Sequence, residues 1–183
     1  MLRRDPGDYR ANTAMGILLC RQWRWDAAAK FLSNAVARAT ANYVRPKDGE
    51  ALYYLGVALK AQGKLDAAYG AFQQAVWRSA WQPAGGCELA EIDLQRRDFP
   101  RALENINLAL AAANQNARAR NLKATILRKL DRPEEAERLA AETLVIDPLN
   151  VRAASEQILA QRQRGAPEWR ENVARLRKLM GRN

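Results

Sequence analysis

A fixed step of 34 residues between small side chains constrains this chain more than any other feature of it. The stretch Gly49–Trp81, GEALYYLGVALKAQGKLDAAYGAFQQAVWRSAW, predicts two amphipathic helices split at Gln62-Gly63-Lys64. Leu52, Leu55, Gly56 and Leu59 share one apolar face. Leu65, Ala68, Phe72, Ala75 and Val76 share the second, at spacings of three and four. Glycine inside a helix costs about 1 kcal/mol against alanine, so Gly56 points to the close approach of another backbone. Gly63 is free to take the left-handed conformation that ends the first helix. Stepping forward by 34 places Ala90 and Ala124 where Gly56 stands, and Ala102 and Ala136 where Ala68 stands. Ile106 and Ala140 answer Phe72 in the same way. A step back of 40 reaches Gly16, with Trp25, Ala28, Leu32 and Ala35 matching and six extra residues in the loop Thr40–Lys47. One more step forward reaches Ile158, with Gly165 in Gly63's place.

Several offsets recurring together at this period resemble the tetratricopeptide repeat. The pieces that carry the likeness are LGVALKAQGKLDAAYGAFQQAV, AEIDLQRRDFPRALENINLAL and KATILRKLDRPEEAERLAAETLVIDPLN, the last with the family's closing proline as Pro148. The resemblance covers nearly the whole chain. It implies an all-α fold, a right-handed α-solenoid of about five helix-turn-helix repeats in a single domain over residues 1–183. The repeats are expected at 9–42, 49–82, 83–116 and 117–150, with a degenerate repeat and capping helix at 151–180. That last helix, expected over Pro167–Met180, has a seam of Trp169, Val173, Leu176 and Met180. Acids in its first turn and bases in its last suit the helix dipole. It reads as a terminal cap or, alternatively, as a partner-binding amphipathic tail.

A chain of 183 residues with 48% apolar content suits a folded repeat protein with one continuous core. No apolar run approaches the roughly 18 residues of a membrane span. The opening MLRRDPGDYR has no apolar h-region, so no secretory signal is expected. Cys20 and Cys87 fall in first helices of different repeats, which suits a pair of free thiols in a reducing cytoplasm. The chain has no histidine, the commonest general base and metal ligand. It also lacks a glycine-rich phosphate loop, a GxSxG turn and a CxxC pair. Glu88 and Glu91 share a helix face, where such carboxylates are ordinarily solvated. The expectation is therefore not an enzyme, with no catalytic residue, no cofactor and no metal.

Asp93 and Lys123 occupy apolar places of the pattern on neighbouring first helices. Either each snorkels to solvent, or the two pair across the repeat interface. Trp23, Trp25 and Trp169 suit core packing at turns or on the seam, while Trp77 and Trp81 are the plausible exposed pair. The net charge of +10 is uneven. Residues 1–48 hold 9 Lys/Arg and 4 Asp/Glu, residues 49–117 hold 6 and 7, and residues 118–183 hold 15 and 9. Such basic ends either solubilise the surface or attract acidic partners and nucleic acid.

In the family that the chain resembles, first helices line a concave groove that binds peptides or proteins. The inner positions here are mixed in the first three repeats and basic in the last two. The candidate ligand-binding residues are Tyr53, Glu91, Arg118, Asn121, Arg128, Arg152 and Arg162. The variety that clamps terminal carboxylates is not matched, because Thr13 and Ile17 stand where its first Lys and Asn belong. The first reading is a non-catalytic protein or peptide scaffold, with an acidic partner suited to its basic half. A nucleic-acid-binding helical repeat is one alternative, although the chain lacks a base-reading pair at fixed places. A second alternative rests on the run KDGEALYYLGVALKAQGKLDAAYGAFQQAVWRSAWQP with ELAEIDLQRRDF. That run resembles the helical part of large bacterial proteins of unknown function with an N-terminal mutarotase-like β-sandwich, which implies an accessory domain of a carbohydrate-active protein.

Overall fold

The computed structural model describes residues 5–41 and 48–181, and every regular element among them is helical. The helices are α1 (Tyr9–Arg21), α2 (Trp25–Thr40), α3 (Glu50–Ala61), α4 (Leu65–Ala75), α5 (Gln82–Gln95), α6 (Phe99–Ala112), α7 (Ala117–Lys129), α8 (Pro133–Ile146), α9 (Val151–Gln163) and α10 (Trp169–Leu179). A short 3-10 turn, Ser79–Trp81, leads into α5. Each expected repeat thus holds two helices. The expected insertion with Pro46 falls on residues 42–47, outside the described residues.

One turn geometry recurs five times. The residue closing each first helix is left-handed: Trp23 (φ 60°), Gly63 (φ 76°), Arg97 (φ 62°), Asp131 (φ 58°) and Gly165 (φ 77°). The next amide donates five residues back, as from Arg24 to the Leu19 carbonyl and from Lys64 to that of Leu59, both at 3.0 Å. This pairing satisfies carbonyls that the helix end would otherwise leave bare. Helix starts are fixed by side chains that accept from the third residue on: Asp8 from Ala11, Asp98 from Arg101, Asn116 from Ala119 and Asn150 from Ala153.

The chain divides within α5 into two compact units, Met1–Ile92 and Asp93–Asn183. In the first, α1 packs on α2, α2 on α3, and α3 on α4. Leu19, Cys20, Ala28, Leu32, Ala35, Ala51 and Ala58 form one core cluster, with Trp25 and Met15 against it. Ala68, Tyr69, Phe72, Leu89 and Ile92 form a second. Gly56 does not face a neighbouring backbone, contrary to the expectation. A Cβ there would lie 2.6 Å from Cε1 of Phe72, so the glycine makes room for a fully buried ring. Gly16 does the same for Leu32. Both cysteines are buried, and neither is in a disulfide.

In the second unit α6 packs on α7, α7 on α8, α8 on α9, and α9 on α10. Leu127, Ala136 and Ala160 pack with Leu103 and Leu139. The last helix begins two residues later than expected, at Trp169, with Glu168 as its N-cap. It lies on α9, where Asn172 donates to Gln161 at 3.0 Å and Leu176 shares a cleft with Ile158. Trp169, Val173 and Leu176 are half-buried, while Met180, the expected end of the seam, is exposed.

Candidate functional site

Of the candidate residues, Tyr53 and Glu91 lie in the first unit. Tyr53 belongs to an aromatic cluster: it stacks on Trp81 at 4.8 Å and 27°, with Phe72 at 5.7 Å and Tyr54 edge-on at 5.3 Å. Trp81 is therefore not one of an exposed pair, although Trp77 is 54% exposed. Glu91 does not stand in solvent with Glu88. The Lys60 ammonium lies 2.7 Å from a carboxylate oxygen of each, and Glu88 is buried. Burial works to lower the Lys60 pKa. Its hydrogen bonds to Glu88 and Glu91, and their charges, outweigh that and hold it above the ordinary lysine value.

The second unit carries the other five. Asn121 is 6% exposed, and its Nδ2 donates to Asn150 Oδ1 at 3.0 Å. Because Asn150 Oδ1 also caps α9 by accepting from Ala153, the Asn121 amide orientation follows from the cap. The Oδ1 of Asn121 is buried and has no hydrogen-bond partner. Arg128 places Nε 3.1 Å from Glu156 Oε2, and the Thr125 hydroxyl lies 2.8 Å from the other oxygen of that buried carboxylate. Arg118, Arg152 and Arg162 are exposed. The Arg162 guanidinium carbon sits 5.7 Å from the centre of the Trp169 ring, with that of Arg170 at 5.0 Å.

Two further expectations are corrected. Asp93 does not snorkel: it is 1% exposed and accepts from Asn105 Nδ2 at 2.7 Å. Trp23 is not core but 78% exposed, because the left-handed turn residue points away from both helices.

What sequence reading did not bring out is that Lys60 with Glu88 and Arg128 with Glu156 form a matched set. Lys60 is twelfth in its repeat and Glu88 sixth in the next; Arg128 and Glu156 take the same places two repeats later. Both pairs span 28 residues. A base and an acid at that separation, one period less six, was the signal available. Among the described residues no cluster of His, Cys, Asp or Glu could hold a metal ion, and no helix is long and apolar enough to cross a membrane.

Solved structures share the architecture. MamA (residues 41 to the end) from Desulfovibrio magneticus RS-1 is similar with a TM-score of 0.78 at 17% identity, covering 94% of each chain. YrrB, described as a TPR protein with an unusual peptide-binding site, has a TM-score of 0.76 at 15% identity, covering 97% of this chain and 89% of its own. A tetratricopeptide repeat protein from Parabacteroides merdae reaches 0.81 at 19%, covering 96% and 68%. At these identities the likeness shows the fold: all-α, of the α-solenoid kind. The family model of the tetratricopeptide repeat matches residues 13–83 and 87–151. With well over half of its residues inside those two matches, the chain belongs to the tetratricopeptide repeat family.

Proposed function

We propose that the chain is a non-catalytic interaction scaffold that takes an extended, acidic segment of a partner protein against α7 and α9. Asn121 carries the reading. Its amide is clamped by a helix cap, and its buried Oδ1 lacks a donor. A buried acceptor left unmet costs free energy, so a partner whose docking turns this amide toward a peptide N–H gains by it. Around it Arg152 and Arg162 are exposed, while Arg128 is held by Glu156, so carboxylates are the favoured side chains. A peptide-binding neighbour of the same fold, YrrB, is in keeping with this role.

Arg152→Glu combined with Arg162→Glu tests it. Arg128 is left intact, since a carboxylate there would face Glu156 and unsettle α7 against α9. A peptide selected from an acidic library by wild-type protein should bind the double variant about tenfold or more weakly. Unchanged affinity at low salt refutes the site. A steep log–log salt dependence with single-stranded nucleic acid, and none with the peptide, replaces the peptide reading by a nucleic-acid one.

A further inference from the structure

Trp23 combines two unfavourable features that neighbouring turns avoid. Its backbone is left-handed, which crowds any residue with a Cβ, and glycine takes this place in two of the other four turns. Its indole is 78% exposed, so burial does not offset that strain. The ring meets Trp25 edge-to-face at 5.6 Å and 74°, leaving a broad indole face open. Beside it runs an open groove of about 680 Å³ lined by Trp23, Arg24, Trp25, Asp26, Gln62 and Lys64. Gln62 brings a buried Oε1 with no hydrogen-bond partner. The two exposed cations, Arg24 and Lys64, outnumber the exposed Asp26.

We infer that this groove, at the hairpin turns of the first unit, is a binding site for an extended peptide in which a proline or aromatic residue is followed by an acidic one. The ring packs on Trp23, and the carboxylate sits between Arg24 and Lys64. A cationic side chain over Trp23 is opposed by those same two bases. Single-stranded nucleic acid fits less well, because stacking along a strand uses successive rings and Asp26 repels phosphate. None of these residues belongs to the face of α7 and α9, so the inference stands apart from the function proposed above.

The test titrates the full chain with the capped peptide Ala-Phe-Pro-Asp-Asp-Ala and, separately, with a dT oligonucleotide, following the five indole N–H signals by NMR. Shifts at the Trp23 and Trp25 indoles and the Gln62 amide are expected with the peptide, and weaker shifts with its Lys-for-Asp counterpart. Glycine suits φ 60°, so Trp23→Gly should keep a Tm at or above that of wild type while weakening the peptide by about fivefold or more. Lys64→Glu should weaken it without changing the fold. Absence of shifts at about 1 mM peptide, affinity unchanged in Trp23→Gly, or a response to the oligonucleotide alone overturns the inference.

Discussion

Gly56→Ala should destabilise the first unit, although alanine is the better helix former. The added Cβ would lie 2.6, 2.7 and 2.9 Å from Cε1, Cδ1 and Cζ of Phe72. Carbon atoms settle at about 3.5–4.0 Å, so the ring must retreat by roughly 1 Å. Phe72 is fully buried, and close-packed interiors leave little room for such a shift. Overpacking of this kind costs about 1–3 kcal/mol, against about 1 kcal/mol returned by helix propensity. A net loss of up to about 2 kcal/mol follows. The chain itself suggests the remedy. At the same register, residues 90 and 124 are alanine in the two repeats whose second helices carry Ile106 and Ala140 in Phe72's place. Phe72→Ile should therefore cost about 1–2 kcal/mol alone, yet rescue Gly56→Ala, with a favourable coupling of about 1 kcal/mol. Urea unfolding followed by circular dichroism reads all four corners of the cycle. With an m-value of about 2 kcal/mol/M, Gly56→Ala lowers the midpoint by up to roughly 1 M. A raised midpoint, or additive effects in the double variant, refutes the packing account.

Lys60→Met should cost about 2 kcal/mol, between the values of exposed and fully buried ion pairs, because it leaves Glu88 and Glu91 facing each other. The folded-state pKa of Lys60 is raised, so its contribution is complete below its ordinary value of 10.5 and is lost as pH rises through the folded value; the stability gap between wild type and variant should narrow there in urea titrations. Removing the chain after Ala166 deletes α10, uncovers Ile158 and breaks the bond from Asn172 to Gln161. A Tm lower by roughly 4–8 °C, with self-association in sedimentation, is expected; a monomer with an unchanged Tm would make α10 a ligand-binding tail.

The hairpins were legible because their packing demands small residues at fixed places, and one period serves every copy. Turn conformation was legible only at the glycines. Trp23, Arg97 and Asp131 adopt the same left-handed state because the hydrogen bonds that close each helix require it there, whatever the side chain. For the same reason the fate of Trp23 was misread. A large aromatic residue suggests core, but the turn directs it outward, and Trp25, two residues on, takes the core position instead. Asp93 was misread in the opposite direction. A lone acid in an apolar place suggests escape to solvent, whereas Asn105, on the following helix, meets it in the interior. Its partner lies twelve residues away, across a turn, at a distance that helical periodicity does not address.

The candidate site shows a deeper limit. Counting cations along the first helices finds Arg128 and treats it as one of four equal donors. In the folded chain it is half-buried and its Nε is given to Glu156, as Lys60 is given to Glu88 two repeats earlier. The first hairpin keeps the place without the charge: Cys20, twelfth in its repeat, meets the carbonyl of Tyr54, sixth in the next, at 4.0 Å. A contact that recurs at one register, with its chemistry changed from thiol to ammonium to guanidinium, is a device for holding successive first helices together. In the function proposed above, specificity for a partner then falls to residues outside that register. Asn121 is one, seven places before Arg128 and oriented by a cap rather than by an ion pair. Arg152 is another, exposed in the first turn of α9. The basic character that suggests an acidic partner and the bases that would contact one are thus partly different residues, because an ion pair neutralises a base locally without altering any count of lysines and arginines.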